Sequence, residues 1–222
     1  MMPWLELTRK DLRIEARTKA SLLTMLLYSL LIVIAFRAAS SVTGASTAVL
    51  LPPMLWVAVA VASIMGVMAS FEFERHDEAM QSSLLAPMER GQIFLGKFLS
   101  NLLLGLVAAL FTLVLGLVFF PLADLASIPI VVLGLIVGTM ATMSVLCLVA
   151  FIASASSVPR VLLPVAAVPL LIFAVILPMV DATARSLSGQ DGWQGGLALV
   201  GLCALIITAA GYLLAGPLTE AA

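Results

Sequence analysis

Six long apolar runs alternate with short polar segments along the chain. They cover residues 21–39, 48–70, 97–120, 128–153, 161–180 and 194–216. A helix needs about 20 mostly apolar residues to cross the hydrocarbon core of a bilayer. The pattern therefore predicts an all-α membrane protein whose six transmembrane helices form a single domain over residues 1–222.

Composition supports this interpretation. Hydrophobic residues make up 63% of the chain and charged residues only 10%, whereas a soluble domain is about half apolar and about a quarter charged. A core of this size cannot enclose so much apolar surface, so much of it must face lipid.

The N-terminal segment, residues 1–20, has a helical pattern of its own. Trp4 and several leucines fall on one broad face, and Arg9, Lys10, Arg13 and Arg17 fall on the opposite face. Three charged residues interrupt the apolar face: Asp11, Glu15 and Lys19. We expect a helix lying in the membrane interface with Trp4 at headgroup level; the alternative is an ordinary basic juxtamembrane stretch. This leader is long for a signal peptide, so the first apolar run is expected to remain as a span.

The polar segment 71–96 predicts a second surface helix, over residues 77–85. Met80, Leu84 and Leu85 share one helical face, and Pro87 would end the helix. Acidic residues at its start and basic residues at its end suit the helix dipole. Such a helix can dock into the groove of a partner or rest on the bilayer.

Basic residues predict the orientation. Nine of the 11 lysines and arginines fall in segments that lie on one side of the membrane if the spans alternate: Arg9, Lys10, Arg13, Arg17, Lys19, Arg75, Arg90, Lys97 and Arg160. The other side has only Arg37 and Arg185. The positive-inside rule therefore places both termini in the cytoplasm.

The interiors of the six runs contain no carboxylate, lysine, arginine or histidine. Ion-coupled transporters and intramembrane hydrolases need such groups there, so both classes are disfavoured, and no catalytic, cofactor-binding or metal-binding residue is predicted. The polar residues in two of the runs are expected to bond to backbone carbonyls or neighbouring helices: Asn101, Thr112, Thr139, Thr142 and Ser144.

Two local patterns are interpreted as non-functional. The stretch from Gly91 to Lys97 matches the G-x-x-x-x-G-K phosphate-binding pattern, but Phe98 replaces the Ser or Thr that would hold magnesium, and no strand precedes it. His76, the single histidine, lies in a charged segment and is expected to be a solvated surface residue.

Proline and glycine mark two of the spans. The fifth contains Pro164, Pro169 and Pro178, so it should be kinked or broken, and Pro164 and Pro169 are predicted to let it bend. On the fourth, Gly134 and Gly138 form a small-xxx-small pair of the kind found where helices pack closely, although such pairs are common in apolar helices.

Three segments carry a resemblance to a known family. They are the opening residues 11–17, the segment 71–97 with Leu84-Leu85 before Pro87 and then Arg90, Ile93 and Gly96-Lys97, and the connection 154–170 with Arg160, Pro164 and Pro169. With them the chain resembles the permeases of ABC-2-type transporters and, more closely, the CcmB family. There are departures: Glu78 stands where that family usually has Gly, Met80 replaces Leu and Gln81 replaces Glu.

The resemblance implies the permease subunit of an ABC transporter complex for cytochrome c maturation in the bacterial inner membrane. It implies a separate cytoplasmic ATPase, companion haem-handling membrane subunits, a periplasmic haem chaperone and a homodimer or hetero-oligomer of permeases, with no nucleic-acid partner. ATP and haem would serve the complex rather than bind this chain. Loop pattern and resemblance together assign ATPase coupling to Glu74, Asp77, Glu78, Met80, Gln81, Leu84, Leu85, Pro87 and Arg90.

Two other functions fit the same pattern. One is the permease of a different ABC-2 exporter, for a lipid, drug or polysaccharide. The other is a membrane scaffold that transports nothing. Neither alternative requires an active site in this chain.

Overall fold

The computed structural model describes residues 3–76, 90–120, 127–155 and 162–220, and this part of the chain is helical almost throughout. The helices are α1 (Pro3–Thr18), α2 (Ala20–Thr43), α3 (Thr47–His76), α4 (Arg90–Phe119), α5 (Ile128–Ala155), α6 (Leu162–Leu171), a π-helical turn (Ile172–Ile176), α7 (Leu177–Leu187) and α8 (Trp193–Glu220). Within these ranges six helical stretches are long and apolar enough to cross a membrane. The prediction of six apolar helices is confirmed.

Several helices extend beyond the apolar runs that predicted them. α3 continues to His76 and α4 begins at Arg90, so both enter the segment 71–96 that was interpreted as a loop. Phe71 and Phe94 are buried there against other helices, which holds the two extensions in place. The predicted surface helix over 77–85 lies outside the described residues.

The fifth span also ends later than predicted, at Leu187 rather than near residue 180. Asp181 ends the apolar run but does not end the helix, and Arg185 Nε donates to its Oδ2 one turn later at 2.8 Å. Thr183 and Ser186, also beyond the apolar run, are buried against the bundle. Polarity alone therefore misplaced this boundary.

The long helices run up and down through the bundle. The first turns of α4 contact both α1, through Leu7, and the last turns of α8, through Tyr212. At the opposite end, Trp56 near the start of α3 donates to Thr183 near the end of α7. We call these the α1 end and the far end. The two terminal helices thus meet the bundle at the same end, as an even number of spans requires.

Helices α3 and α5 lie at the centre of the bundle. In each, 67% of the most apolar window is buried, against 17% in α2 and in α8. The core between them includes Trp56, Met143 and Leu146. Gly138 lies directly beneath the ring of Trp56, where a Cβ atom would overlap the ring atoms Cη2 and Cζ3.

The fifth span is irregular between two of its prolines. The turn Ile172–Ile176 is π-helical, and the N–H of Leu177 donates to the carbonyl oxygen of Ile172, five residues earlier. Pro178 has no N–H to offer Ala174 and its ring crowds that carbonyl, so a wider turn relieves the conflict. The bending role of Pro164 and Pro169 stays a prediction.

Candidate functional site

The candidate site is the α1 end of the bundle, where α4 emerges from the segment 77–89. α1 crosses the first turns of α4 at Gly96. Thr8 Oγ1 lies 3.2 Å from the Gly96 carbonyl oxygen and 2.9 Å from that of Trp4, and it can donate to either. A Cβ atom at position 96 would lie 2.8 Å from Leu7 Cδ2, so the close crossing depends on glycine.

A second link between α1 and α4 is an ion pair. Lys97 Nζ lies 2.9 Å from Asp11 Oδ2, with side chains only 12% and 14% exposed. The two charged groups are close enough to form an ion pair, but the geometry at Asp11 Oδ2 is not that of a hydrogen bond. Because water is mostly excluded, leaving either charge unpaired would cost more here than at an open surface.

Glu15 fixes the junction between α1 and α2. Its Oε1 accepts the backbone N–H of Leu22 at 2.8 Å, one of the N–H groups that a helix start leaves unpaired. The chain turns there at Lys19, which has a left-handed backbone with φ of 55°. Asp11 and Glu15 interrupt the apolar face of the predicted N-terminal helix because both make contacts within the protein.

The base of α4 is braced by aromatic rings. The rings of Phe94 and Phe98 stack with centroids 6.5 Å apart, and Phe94 meets Phe151 of α5 edge to face at 5.8 Å. On α8, Gly211 lies against the Phe94 ring with no room for a side chain. The first turns of α4 are therefore tied to α1, α5 and α8 together.

The G-x-x-x-x-G-K pattern has a structural role. Both glycines lie inside α4 rather than in a loop after a strand. Gly91 admits Tyr212, whose Cε2 would lie 2.6 Å from an added Cβ atom, and Gly96 admits Leu7. Lys97 faces Asp11. These contacts agree with the interpretation that this stretch is not a phosphate-binding loop.

The residues predicted to couple to an ATPase fall mostly outside the described part of the chain. Glu74 lies in the last turns of α3 and Arg90 is the first residue of α4, so the two helices that flank the segment are in place. Asp77, Glu78, Met80, Gln81, Leu84, Leu85 and Pro87 lie in residues 77–89. Their role stays a prediction.

Polar side chains inside the spans bond to backbone carbonyls, as predicted. Four of the five do so: Asn101 to the Lys97 carbonyl, Thr112 to that of Ala108, Thr142 to that of Gly138 and Ser144 to that of Met140. Thr139 Oγ1 and Asn101 Oδ1 are buried with no hydrogen-bond partner among the described residues. Within those residues there is also no group of three or more His, Cys, Asp or Glu that could hold a metal ion.

Sequence reasoning missed the contacts that hold this end together. The ion pair between Asp11 and Lys97 joins residues far apart in the chain. No pattern in either segment indicates that the two residues will be in contact. The interruption of the apolar face by Asp11 and Glu15, one turn apart, was the available signal. A carboxylate on the apolar side of such a helix needs a partner, because burying it alone is unfavourable.

The sequence model of one protein family, described as "CcmB protein", matches residues 2–219. The chain belongs to the CcmB family. Membership makes it a permease component, a role without an active site, of an ABC transporter for haem export, and the six apolar helices fit that role. Among individually curated proteins, none matches the chain significantly.

Proposed function

We propose that this permease serves an ABC transporter complex for cytochrome c maturation, in which ATP hydrolysis drives haem export or releases a haem-loaded periplasmic chaperone. The observation that carries the proposal is the family match over residues 2–219. A separate cytoplasmic ATPase subunit supplies the energy, since the span interiors contain no carboxylate, lysine, arginine or histidine to couple to an ion gradient.

Coupling to the ATPase is assigned to the segment between α3 and α4. Residues 77–85 form the docking helix, with Met80, Leu84 and Leu85 as its apolar stripe. Gln81 is neutral where the family usually has a carboxylate, so either Glu74 or Glu78 provides the acidic contact or the chain couples to its ATPase in a different way. Movement of this helix reaches α3 and α4, which flank it, and the contacts at Gly96, Lys97 and Phe94 pass it on from α4 to α1, α5 and α8.

The surroundings of the permease follow from the same assignment. α1 lies along the cytoplasmic face of the bacterial inner membrane, and both termini are cytoplasmic. Companion haem-handling membrane subunits, a periplasmic haem chaperone and a second permease complete the complex. The fifth span bends at Pro164 and Pro169 as the complex works, next to the π-helical turn Ile172–Ile176.

Docking is tested by charge placed on the apolar stripe. In Leu84→Asp/Leu85→Asp, two carboxylates would face the apolar groove of the ATPase, and we expect co-purification of the ATPase to fall by about tenfold or more, because burying an unpaired charge is costly. The matched control is Ser82→Asp/Ser83→Asp, which adds the same charge to the same segment away from the stripe. Equal ATPase recovery with both variants, at equal membrane levels, contradicts the docking assignment.

The cargo assignment is tested in a deletion strain. Loss of holo-cytochrome c, restored by the wild-type gene but not by Leu84→Asp/Leu85→Asp, is expected. Normal holo-cytochrome c in the deletion strain would contradict a role in cytochrome maturation and favour another exporter. If Leu84→Asp/Leu85→Asp restores cytochromes while losing the ATPase, the role in maturation stands and ATP coupling fails.

A further inference from the structure

An open groove of about 400 Å³ lies between α1 and α4 at the α1 end. Its walls are Leu5, Arg9, Leu12 and Arg13 of α1 and Leu99 and Leu103 of α4. The α1 residues stand at positions i, i+4, i+7 and i+8 and so share one face of that helix. The volume falls within the range of about 300–1,000 Å³ that is usual for small-ligand sites.

The groove combines an apolar floor with a cationic rim. Leu5 and Leu103 are 49% and 41% exposed, although both are large apolar side chains. Arg9 and Arg13 lie one turn apart and present two guanidinium groups, which suit the planar, multidentate binding of a phosphate. The chemistry calls for a ligand with an anionic head and an apolar body.

The nearby carboxylates do not neutralise this rim. Asp11 is paired with Lys97 and Glu15 accepts the N–H of Leu22, so both are engaged away from the groove. Glu6, three residues before Arg9, forms no ion pair within the described part of the chain. Over the described ranges, no ion pair or side-chain hydrogen bond reaches Arg9 or Arg13. Their charge is therefore available to an external anion.

The groove opens at one end of a membrane span. Leu99 and Leu103 belong to the apolar stretch Gly91–Phe119, and at about 1.5 Å per residue they lie about 12 and 18 Å along the helix from Gly91. Arg9 and Arg13 are held beside these positions by the contacts of Thr8 and Asp11 with α4. A headgroup at the arginines would thus place its acyl chain against the leucines, in the direction of the membrane core.

We propose that this groove is a binding site for an anionic phospholipid, whose phosphate pairs with Arg9 and Arg13 and whose first acyl segment packs on Leu99 and Leu103. A zwitterionic lipid offers the same chain, but its own cation opposes the two arginines. The bound lipid fills the space between α1 and α4 and adds a third contact to the two that fix α1. The site is independent of which cargo or ATPase the complex uses.

The test measures lipids retained by the purified complex. The complex is delipidated in mild detergent and titrated with phosphatidylglycerol or phosphatidylcholine, and bound lipids are counted by native mass spectrometry. Wild type should prefer phosphatidylglycerol. Arg9→Gln/Arg13→Gln should weaken its binding by up to about 25-fold, since each exposed ion pair with the phosphate contributes up to about fivefold, and should leave phosphatidylcholine unchanged. Leu103→Trp, which fills the groove, should weaken both lipids.

Two matched controls sharpen the result. Lys10→Gln/Arg17→Gln removes the same charge from the same helix outside the groove, and Leu110→Trp adds the same ring to another exposed position of α4; each should change binding by less than about twofold. The proposal is overturned if the wild type retains the two lipids equally. It is also overturned if Arg9→Gln/Arg13→Gln and Lys10→Gln/Arg17→Gln weaken phosphatidylglycerol binding equally. Displacement of phosphatidylglycerol by inorganic phosphate would also overturn it, because the site would then bind the headgroup anion alone. So would the absence of any retained lipid, which would indicate that another subunit covers the groove.

Discussion

Helices α3 and α5 and helices α2 and α8 are equally apolar but occupy different places in the bundle. The mean hydropathies are 2.1 and 2.4 for the first pair and 2.2 and 2.4 for the second, yet the buried shares of their most apolar windows are 67% and 17%. Lipid and protein interior are both apolar, so hydropathy reports that a helix enters the membrane and says nothing about its neighbours.

The packed and the exposed faces of these helices differ in residue size. Gly66 on α3 and Gly138 on α5 lie against Met25 and Trp56 with no room for a side chain. The exposed face of α8 instead carries large aliphatic residues: Leu199, Leu202, Leu205, Ile206 and Leu213. Small residues let helices approach closely, and close approach supplies the packing that holds a bundle together in lipid.

The largest effect is expected at the contact between α5 and α3. In Gly138→Ala the new methyl group would overlap the Trp56 ring, and we expect about 2 kcal/mol of destabilisation from overpacking. The control is Gly201→Ala on α8, where the nearest atom, Val137 Cγ1, would be 3.5 Å from the methyl group. That change should be neutral or stabilise by up to about 1 kcal/mol. Unfolding of the permease by SDS in mixed micelles measures both, and similar values would contradict the division into central and peripheral helices.

A smaller effect is expected from the hydrogen bond at the far end. Trp56 Nε1 donates to Thr183 Oγ1 at 2.8 Å in a buried position. Thr183→Val keeps the shape but leaves the indole N–H unpaired, which should destabilise by about 1–2 kcal/mol. Thr24→Val on α2, whose hydroxyl bonds only within its own helix, should change stability by less than about 0.5 kcal/mol. The same SDS titration measures both, and a neutral Thr183→Val would mean that the indole finds another partner.

Sequence reasoning recovered the elements of this fold better than their arrangement. The apolar runs predicted the six helices because chain length and bilayer thickness leave few alternatives. The small pair Gly134 and Gly138 was visible, but its partners were not: Met179 faces the first and Trp56 the second. These partners belong to other helices, and the local sequence pattern does not encode which helix will pack there.

The same holds for the candidate site: its local features could be predicted from the sequence, and its long-range contacts could not. Its local features, the stripe over 77–85 and the basic face of residues 3–19, are periodic and can be seen in the sequence. The contacts that brace it, such as Asp11 with Lys97 and Phe94 with Phe151, join distant segments. They depend on tertiary packing, and only the exceptions to the local pattern hinted at them.

The smallest effect is expected where a central helix meets a peripheral one. The hydroxyls of Ser144 on α5 and Thr208 on α8 lie 2.8 Å apart in a partly buried position, and each can also donate to a carbonyl of its own helix. A double-mutant cycle with Ser144→Ala and Thr208→Val should therefore give a coupling energy of about 0.6 kcal/mol, the average for hydrogen bonds between membrane helices. The SDS titration again measures it. A coupling energy as large as the effect of Thr183→Val would mean that polar contacts rather than packing hold α8 to the bundle. The contrast between α3 and α5 on one side and α2 and α8 on the other would then rest on burial alone.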